Sequence, residues 1–494
     1  MVLALIGSVA GYVEYLNHQI HRVNVKDLAK PASHGPEQGT ENILLVGSTT
    51  RCGLKQQNPI FGLCSEGVNG VNSDVIMILH VDPATKKAAI LSIPRDLVVP
   101  NARSDGFNKV DAALYEGPNQ LVDAIEEDFG IPIHHYVELN FDSFMGVVNA
   151  LGGVKMYFPM PVYDAYSQLN IQTTGCQVLN GSEALALVRA RHLQYKPPSV
   201  TSNDPSDWPY DPESDLSRIV RDHEFLRVLA STAAKRGLGN PFTDRSLLAA
   251  VTPYLQVDSG LSLTSMVQLL LDFHADNPFS APQLTVPVLV NNAQDFYFNG
   301  VDYGSVEFAT EPQDIQAIDQ VLGVGLDTDT MGGGPLPAPH SITVSVENGT
   351  GYDDEASQTA SALQSLGYHV VGPATDASSQ NTDSETFVEY ASKAEEPAAE
   401  QVAHSLSGAV VMGLEPTDDG AQVTVVTGSD FSVNTPPSST TTTGESGSSP
   451  SSSPSSSSSS GSSGSSNVQP ATTSNPSLAP FDPRSCTASG GEGK

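Results

Sequence analysis

The sequence predicts an α/β fold whose sheet is covered on both faces. Three apolar runs, NILLVG at 42–47, VIMILHV at 75–81 and AAILSI at 88–93, have the length and composition of buried strands. Helical patterns alternate with strand patterns from there to about Val324, which is typical of an α/β domain. The chain has 494 residues, so it is long enough for a second domain.

The other elements of the first domain follow from periodicity and from helix-breaking residues. Gly117-Pro118 interrupts one helical pattern, and Pro287 places one strand at a sheet edge because proline cannot donate to a ladder. The predicted helices are 111–129, 141–150 and 263–274, and the predicted strands are 136–139 and 283–290.

Composition divides the rest of the chain into three parts. Residues 325–340 are rich in Gly and Pro and predict a linker. Residues 341–432 predict a small α/β module, with strands at 342–348, 369–373 and 422–428 and helices at 355–368 and 398–406. Residues 433–494 are rich in Ser, Thr, Gly and Pro, cannot bury enough apolar surface to fold, and predict a disordered tail.

The N-terminus favours export. Residues 1–16 are mostly apolar but short for a membrane span, and no basic residue precedes them. We expect a membrane anchor truncated at its start, followed by a polar stalk over residues 17–40. A cleaved signal peptide and a buried amphipathic helix are the alternatives.

The four cysteines contain no CxxC pair, which argues against a zinc site. Cys52 and Cys64 bracket a short loop and could close a disulfide. Cys176 and Cys486 are a weaker candidate pair, and disulfides would require an oxidising compartment.

The formal net charge of -33 argues against nucleic acid as a bulk partner. Of the 23 Lys and Arg residues, 14 lie between Lys86 and Arg236. A positive centre in an acidic molecule can attract an anion to one place.

Four arginines concentrate this charge. Arg189 and Arg191 end one helical run, and Arg218 and Arg221 lie three apart on the next, so the second pair shares a helix face. Guanidinium groups present a planar fork that suits phosphate oxygens, which favours a diphosphate site. Ordinary salt-bridged helix surface is the alternative.

A carboxylate and further cations are expected beside them. If strands 75–81 and 88–93 are antiparallel neighbours, Asp74 and Arg95 meet at one edge, and Asp96 points to the other face. Arginines around a carboxylate that holds a divalent ion suit phosphoryl transfer. Lys109 is another candidate for this site, whereas a turn cap or an internal ion pair would be the structural role of Asp74, Arg95 and Asp96.

Several segments together resemble the LytR-CpsA-Psr family of cell-wall glycopolymer transferases. They are NSDVIMILHV, LSIPRDL, NKVDAALYEG, FDSFMGVVNALGGV, LNGSEALALVRARH and SDLSRIVRDHEFL, in the family's order within residues 41–324. Residues 341–432 are similar to the LytR C-terminal domain. The resemblance implies a three-layer α/β catalytic domain with a central mixed sheet and an apolar lipid pocket.

The resemblance also implies a membrane-anchored phosphotransferase outside the cytoplasm. It would move a glycopolymer from a polyprenyl-pyrophosphate carrier to a muramic acid 6-hydroxyl of peptidoglycan, with Mg²⁺. The implied catalytic residues are Asp74, Arg95, Asp96, Arg189 and Arg191. The implied pyrophosphate-binding residues are Arg95, Lys109, Arg189, Arg191, Arg218 and Arg221.

The chain departs from the family pattern around the metal. Gly47-Ser48-Thr49 stands where relatives have a second metal-binding Asp, and Asn72 stands where they often have Arg. Asp222 replaces the usual Gln and could serve as the second carboxylate beside Asp74. A non-catalytic lipid-carrier or glycan binder and a carrier pyrophosphate hydrolase are therefore alternatives.

Overall fold

The fold is taken from a computed structural model. It describes residues 11–31, 39–52, 54, 62–211, 215–236, 245–275, 281–290, 296–298, 301–350, 352–377 and 385–434. The predictions for residues 1–10 and 435–494, which cover most of the anchor and tail, lie outside the described residues.

The first domain is built on strands and helices that precede a second, C-terminal unit. Its strands are β1 (His21–Val23), β2 (Glu41–Ser48), β3 (Ser73–Asp82), β4 (Lys87–Ser92), β5 (Val98–Arg103), β6 (Gly106–Lys109), β7 (His135–Leu139), β8 (Val154–Phe158), β9 (Val162–Asp164), β10 (Leu169–Ile171), β11 (Gly175–Leu179), β12 (Gln194–Tyr195), β13 (Gln256–Asp258), β14 (Gln283–Thr285), β15 (Val288–Val290), β16 (Phe296–Phe298), β17 (Val301–Gly304) and β18 (Glu307–Glu311). Its helices before β18 are α1 (Pro118–Phe129), α2 (Phe141–Ala150), α3 (Gly181–Arg189), α4 (Asp215–Lys235), α5 (Arg245–Val251) and α6 (Leu263–Ala275).

A mixed seven-stranded sheet forms the centre, in the order β1-β13-β7-β2-β3-β4-β14. One of its faces packs on a core that includes α1, and the other faces α4 and α6. The α/β class with a covered mixed sheet is therefore confirmed. The predicted interruption at Gly117-Pro118 is also confirmed, because a 3₁₀ helix ends at Glu116 and α1 begins at Pro118.

The register of the central hairpin positions the site. β3 and β4 are antiparallel, and their ladder ends at the pair Met77 and Ser92, so Asp74 and Arg95 each lie three residues beyond it at the same edge. The ladder between β2 and β3 shifts at Gly47/Ser48, so Asp74 is an extra residue in a β-bulge. Bulges re-aim side chains at functional sites, and this one turns Asp74 toward the Arg95 side of the edge.

The first half of the predicted stalk is part of the folded domain, not an extended polar segment. β1 pairs in parallel with β13 and forms the edge of the central sheet. Leu16 and Ile20 are buried against Val147 and Val257, so the end of the predicted anchor packs on the domain. Among the described residues, no helix has both the length and the apolar character needed to cross a bilayer.

The strand predicted at 283–290 is two strands in two sheets. β14 pairs with β4 at the edge of the central sheet, whereas β15 pairs with β18 in the second sheet. Pro287 lies between them and contributes no N–H to either ladder. The chain therefore changes sheets at this proline.

The C-terminal unit continues that second sheet. Helix α7 (Gln313–Leu322) follows β18 and precedes the linker. The elements of the C-terminal unit are β19 (Thr343–Asn348), α8 (Glu355–Ser365), β20 (His369–Val370), β21 (Thr375–Asp376), β22 (Thr386–Tyr390), α9 (Glu396–Ala403), β23 (Leu406–Leu414), β24 (Val423–Thr427) and β25 (Phe431–Val433). The order β15-β18-β23-β22-β24-β19-β20 joins both units in one sheet. The predicted linker is packed as well, because Thr330 is buried and donates to the carbonyl of Gly130 over 2.5 Å.

The predicted Cys52–Cys64 disulfide is present, with its Cα atoms 5.1 Å apart. It ties the segment after β2 to the segment before β3. Cys176 is also disulfide-bonded. Cys486 lies outside the described residues, so the proposed pairing of these two cysteines stays a prediction.

Candidate active site

A deep apolar cavity of about 380 Å³ lies between the central sheet and helices α2, α4, α5 and α6. This volume is within the range of small-molecule pockets. Leu45 and Leu79 line it from the sheet, and Phe144, Leu226 and Leu270 line it from the helices. Because the lining extends along β2 from Ser48 to Ile43, the cavity is about 17 Å long at the usual strand rise.

Polar side chains line this cavity at one end of the sheet. Ser48 ends β2, Asp74 begins the antiparallel β3, and Asn140 follows β7, which is parallel to β2. Arg189 and Arg218 line the cavity as well. The cavity is therefore mainly apolar and has charged side chains at its mouth, which suits a molecule with an apolar chain and an anionic headgroup.

Arg95 and Arg218 converge on Asp74. Arg95 Nη1 contacts Asp74 Oδ1 directly, as the hairpin prediction required. Arg218 Nη2 donates to the backbone carbonyl of Asp74 over 2.9 Å. Two guanidinium groups from different elements thus meet at the bulge, which confirms that these predicted residues lie together.

Asp96 lies in the same cluster, so the prediction that it points to the other face is wrong. Its carboxylate accepts from Arg95 Nε at 3.3 Å, from Lys109 Nζ at 3.1 Å and from Arg191 Nη2 at 3.3 Å. The backbone leaves the regular strand after Ser92, so side-chain alternation no longer applies. Burial opposes the charge of Asp96, but the three cations outweigh burial and lower its pKa.

Asp111 is a site residue that the sequence reasoning missed. Its Oδ2 accepts from Asn72 Nδ2 at 3.1 Å and lies 3.9 Å from Arg95 Nη1. Burial raises the pKa of Asp111 to about 6, although Arg95 acts in the opposite direction. The signal was present in NKVDAALYEG, because Asp111 follows Lys109 by two residues.

Arg189 and Arg51 share one aromatic ring. The Arg189 guanidinium carbon lies 4.7 Å from the ring centroid of Phe141, and that of Arg51 lies 5.9 Å from it. Burial lowers the pKa of Arg189, and Arg51 adds to this effect. A cation in this position is attracted to the ring face and is only partly hydrated. Little hydration is therefore lost when an anion binds to it. Arg51 was not predicted, although it follows β2 at the strand end where ligands commonly bind.

Arg221 is turned away from the cavity. Its guanidinium is buried, contacts the carbonyl of Ala190 and lies 3.3 Å from Asp211 Oδ2. Its i,i+3 spacing from Arg218 suggested one shared face, but Asp211 draws it to the loop before α4. The geometry therefore supports a role for Arg221 in holding the loop after Arg189 and Arg191.

The two predicted metal ligands, Asp74 and Asp222, both line the cavity. Each lies beside a guanidinium, with Asp222 Oδ2 3.9 Å from Arg218 Nε. Within the described part of the chain, no group of three carboxylate or imidazole ligands converges at this mouth. Mg²⁺ is commonly held by one or two carboxylates together with substrate phosphates, and a single carboxylate at Asp74 fits that mode.

His223 fixes helix α4 against the sheet. Its Nε2 lies 2.6 Å from Ser92 Oγ at the end of β4, one residue after Asp222 and near the mouth. Burial lowers the pKa of His223 to about 3. The His223 ring is therefore neutral in the folded state. Its contact with Ser92 holds α4, the helix that carries Arg218, against the sheet.

This neutral histidine predicts acid sensitivity. Below pH 6.5, the pKa of His223 in the unfolded chain, the unfolded state binds a proton that the folded state does not. The contribution of His223 to the free energy of unfolding is therefore lost as the pH falls from 6.5 toward 3. From pH 6 to pH 4, the unfolding free energy of His223→Gln should fall more slowly than that of the wild type, by up to about 1.4 kcal/mol per pH unit. Chemical denaturation at several pH values measures this difference, and parallel curves would contradict it.

The sequence comparisons agree with this architecture. Residues 12–314 match the sequence profile of the LytR-CpsA-Psr family. Residues 341–431 match a second profile, described as LytR cell envelope-related transcriptional attenuator. The first match covers more than half of the chain, so the protein belongs to the LytR-CpsA-Psr family.

Individual relatives are similar over shorter segments. The chain is 35% identical over 246 residues to the probable cell wall biosynthesis protein LcpB of Corynebacterium glutamicum, covering 49% of this chain and 54% of LcpB. It is 33% identical over 163 residues to the polyisoprenyl-teichoic acid–peptidoglycan teichoic acid transferase TagT of Bacillus subtilis, covering 32% of this chain and 47% of TagT. A solved LytR-Csp2A-Psr enzyme from Actinomyces oris is 25% identical, with a TM-score of 0.42 over 54% of this chain and 88% of that one.

Proposed function

We propose that this protein transfers a glycopolymer from a polyprenyl-pyrophosphate carrier to peptidoglycan, at the muramic acid 6-hydroxyl. The observation that carries the proposal is the cavity, which is apolar along its length and has Arg189, Arg218 and Asp74 at one end. Membership of the family and the transferase name of the relative TagT support the same class of activity. A membrane-anchored protein working outside the cytoplasm fits this role and is part of the proposal.

The arginines would act on the diphosphate. Arg189, Arg218, Arg95 and Arg191 can donate to its oxygens and neutralise charge that develops during phosphoryl transfer. In the structure Arg95 and Arg191 are paired with carboxylates, and Lys109 completes that network. Binding of the donor would exchange part of this internal pairing for pairing with phosphate.

The reaction forms one phosphodiester and releases one lipid phosphate. The acceptor hydroxyl oxygen attacks the phosphorus that carries the glycan, and the bond from that phosphorus to the bridging oxygen breaks. Polyprenyl phosphate leaves with the bridging oxygen, and the hydroxyl proton passes to water. Asp74 lines the cavity at this end, where Arg95 contacts it directly and Asp96 holds Arg95 in place.

Mg²⁺ is the proposed cofactor. Asp74 would hold it together with diphosphate oxygens, and Asp222 is the second carboxylate within the same cavity. The ion would supply positive charge to the transferring phosphoryl oxygens. The acidic surface and the location of the cationic groups give no support for nucleic acid as a partner.

Reconstitution with a labelled polyprenyl-pyrophosphate glycopolymer, peptidoglycan and Mg²⁺ tests the proposal. We expect label to become covalently attached to peptidoglycan, with release of polyprenyl phosphate, and we expect EDTA to abolish attachment. Tight lipid binding without release would instead support a non-catalytic binder. Release of label into water without attachment would support a carrier pyrophosphate hydrolase.

A further inference from the structure

A second cluster of acidic residues lies outside the arginine site, where the linker joins the two units. Helix α9 of the C-terminal unit, helix α7 and the packed linker meet there. We call it the junction acidic cluster, and its members are Glu311, Asp314, Asp319, Asp329, Glu396 and Glu400. All of these side chains are buried except that of Asp329, which is half-buried.

Three of these carboxylates converge. Asp329, Glu396 and Glu400 each offer one oxygen, and these oxygens lie within 4.8 Å of one another. Glu396 and Glu400 are four residues apart, so they lie on one face of α9. Asp329 is held by the turn that follows it, because its Oδ1 accepts from the backbone N–H groups of Met331 and Gly332. The arrangement joins the linker to the C-terminal unit.

The cluster contains buried carboxylate oxygens with no hydrogen-bond partner among the described residues. Glu396 is 4% exposed, and its Oε1 is one of them. Asp319 is also 4% exposed, and both of its oxygens are unpaired. Asp319 and Glu400 line a small cavity of about 20 Å³, which is room for one water-sized particle.

No neighbouring cation explains these groups. In the part of the chain that the structure describes, no Lys or Arg lies within 4.0 Å of the three converging carboxylates. Lys393 pairs instead with Glu126 and Glu127. His404 Nε2 is 4.0 Å from Glu400, but burial lowers the pKa of His404 to about 4, so its ring is neutral at pH 7.

Charge on buried carboxylates without partners is unfavourable, so something must neutralise it. Glu311 and Asp314 can do so by sharing a proton, since they hydrogen-bond each other. Asp319, Glu396 and Glu400 have no such mutual pair. An all-oxygen set of this kind matches a hard divalent cation.

Ca²⁺ suits the site better than Mg²⁺. It accepts six to eight oxygens in flexible geometry, whereas Mg²⁺ requires a near-ideal octahedron and usually keeps several waters. Three carboxylates converge here, more than the one or two that Mg²⁺ usually takes beside its waters. Asp329, Glu396 and Glu400 can supply three of the oxygens that Ca²⁺ requires.

We propose that Asp329, Glu396 and Glu400 bind a Ca²⁺ ion that fastens the C-terminal unit to the first domain, with Asp319 adding negative charge beside it. The ion would link α9, the linker and, through Thr330, the carbonyl of Gly130 after α1. Thr330 already connects these parts, because its N–H donates to Glu400 Oε2 over 3.2 Å and its hydroxyl to Gly130. This inference does not depend on the proposed transferase activity.

The test is Ca²⁺ binding to the full chain after EDTA treatment and desalting. Isothermal titration with CaCl₂ should show one site, and saturating Ca²⁺ should raise Tm by about 5 °C. MgCl₂ at the same concentration should give a clearly smaller shift. No detectable Ca²⁺ binding in the titration, together with an unchanged Tm, would overturn the proposal. That result would indicate that protons neutralise the buried carboxylates.

Variants locate the ion. Glu396→Gln/Glu400→Gln should lose the Ca²⁺-dependent rise in Tm while keeping the fold, since the amides preserve side-chain shape. Glu389→Gln is the matched control, because Glu389 is a half-buried carboxylate of the same unit outside the cluster. Should the double variant fail to fold, Glu396→Gln alone should weaken binding at least tenfold. A full Ca²⁺ response in either cluster variant would overturn the assignment.

Discussion

Arg189→Ala is expected to lower the affinity for a polyprenyl-diphosphate about 10- to 100-fold and to lower glycopolymer transfer further. In the proposed site the guanidinium would donate to the diphosphate both in the bound donor and in the transition state. Arg189 lies at the cavity mouth and is held over Phe141. The ring keeps the cation in place before the ligand arrives, so little side-chain freedom is lost on binding.

Two companion variants make this result specific. Arg189→Lys keeps the charge but loses the planar fork, so its affinity should lie between those of the wild type and Arg189→Ala. Lys235→Ala removes an exposed cation at the end of α4 and should bind as the wild type does. Fluorescence titration with a labelled lipid diphosphate gives the three affinities. Equal affinity of Arg189→Ala and Lys235→Ala would remove Arg189 from the binding site.

Ala230→Trp is expected to reduce lipid binding at least tenfold by filling the cavity. Ala230 lies on α4 and lines the cavity between the helix and the sheet. An indole there occupies space that a prenyl chain would need, and the existing void lets it enter with less strain than in a packed core. The arginines at the mouth are unchanged, so this variant measures the contribution of the prenyl chain to binding separately from that of the diphosphate.

Val220→Trp is the matched control for this change. Val220 is on the same helix, but its side chain is exposed. Both variants should unfold near the wild-type temperature, and Val220→Trp should retain lipid. Undiminished lipid binding by Ala230→Trp would show that the prenyl chain lies elsewhere.

Local regularity explains which parts of the site could be predicted. The hairpin β3–β4 has a short turn and continuous apolar strands, so its register follows from the sequence, and with it the meeting of Asp74 and Arg95. The hairpin predicts the sheet edge that Arg95 and Asp96 reach, but not the direction of the Asp96 side chain, because β4 ends at Ser92 and strand alternation does not continue beyond it. Three cations gather around its carboxylate, and that attraction, not strand alternation, sets its direction.

Asp111 and Arg221 show how distant contacts override local spacing. Asp111 reaches Arg95 only because the β5–β6 hairpin folds the chain back, and its backbone N–H donates to the carbonyl of Arg95. Arg221 has the helical spacing of a site residue, yet Asp211 and Ala190 hold it. No sequence period encodes either contact.

The junction between the units was also beyond local reasoning. The sequence predicted β19, α8, β20, α9 and β24, but strands β22 and β23 were missed. LSGAVVMGL in β23 contains small residues and glycines that carry a weak strand signal. Its pairing with β18 and β22 supplies the regularity, and β18 comes from a distant part of the chain.

Native mass spectrometry of the full chain with a polyprenyl diphosphate tests the central claim most directly. We expect one lipid diphosphate bound per chain to the wild type, with occupancy greatly reduced in both Arg189→Ala and Ala230→Trp and unchanged in Lys235→Ala and Val220→Trp. Equal occupancy in all five proteins, or no lipid on the wild type at saturating concentration, would contradict a diphosphate held by arginines at the mouth of an apolar cavity.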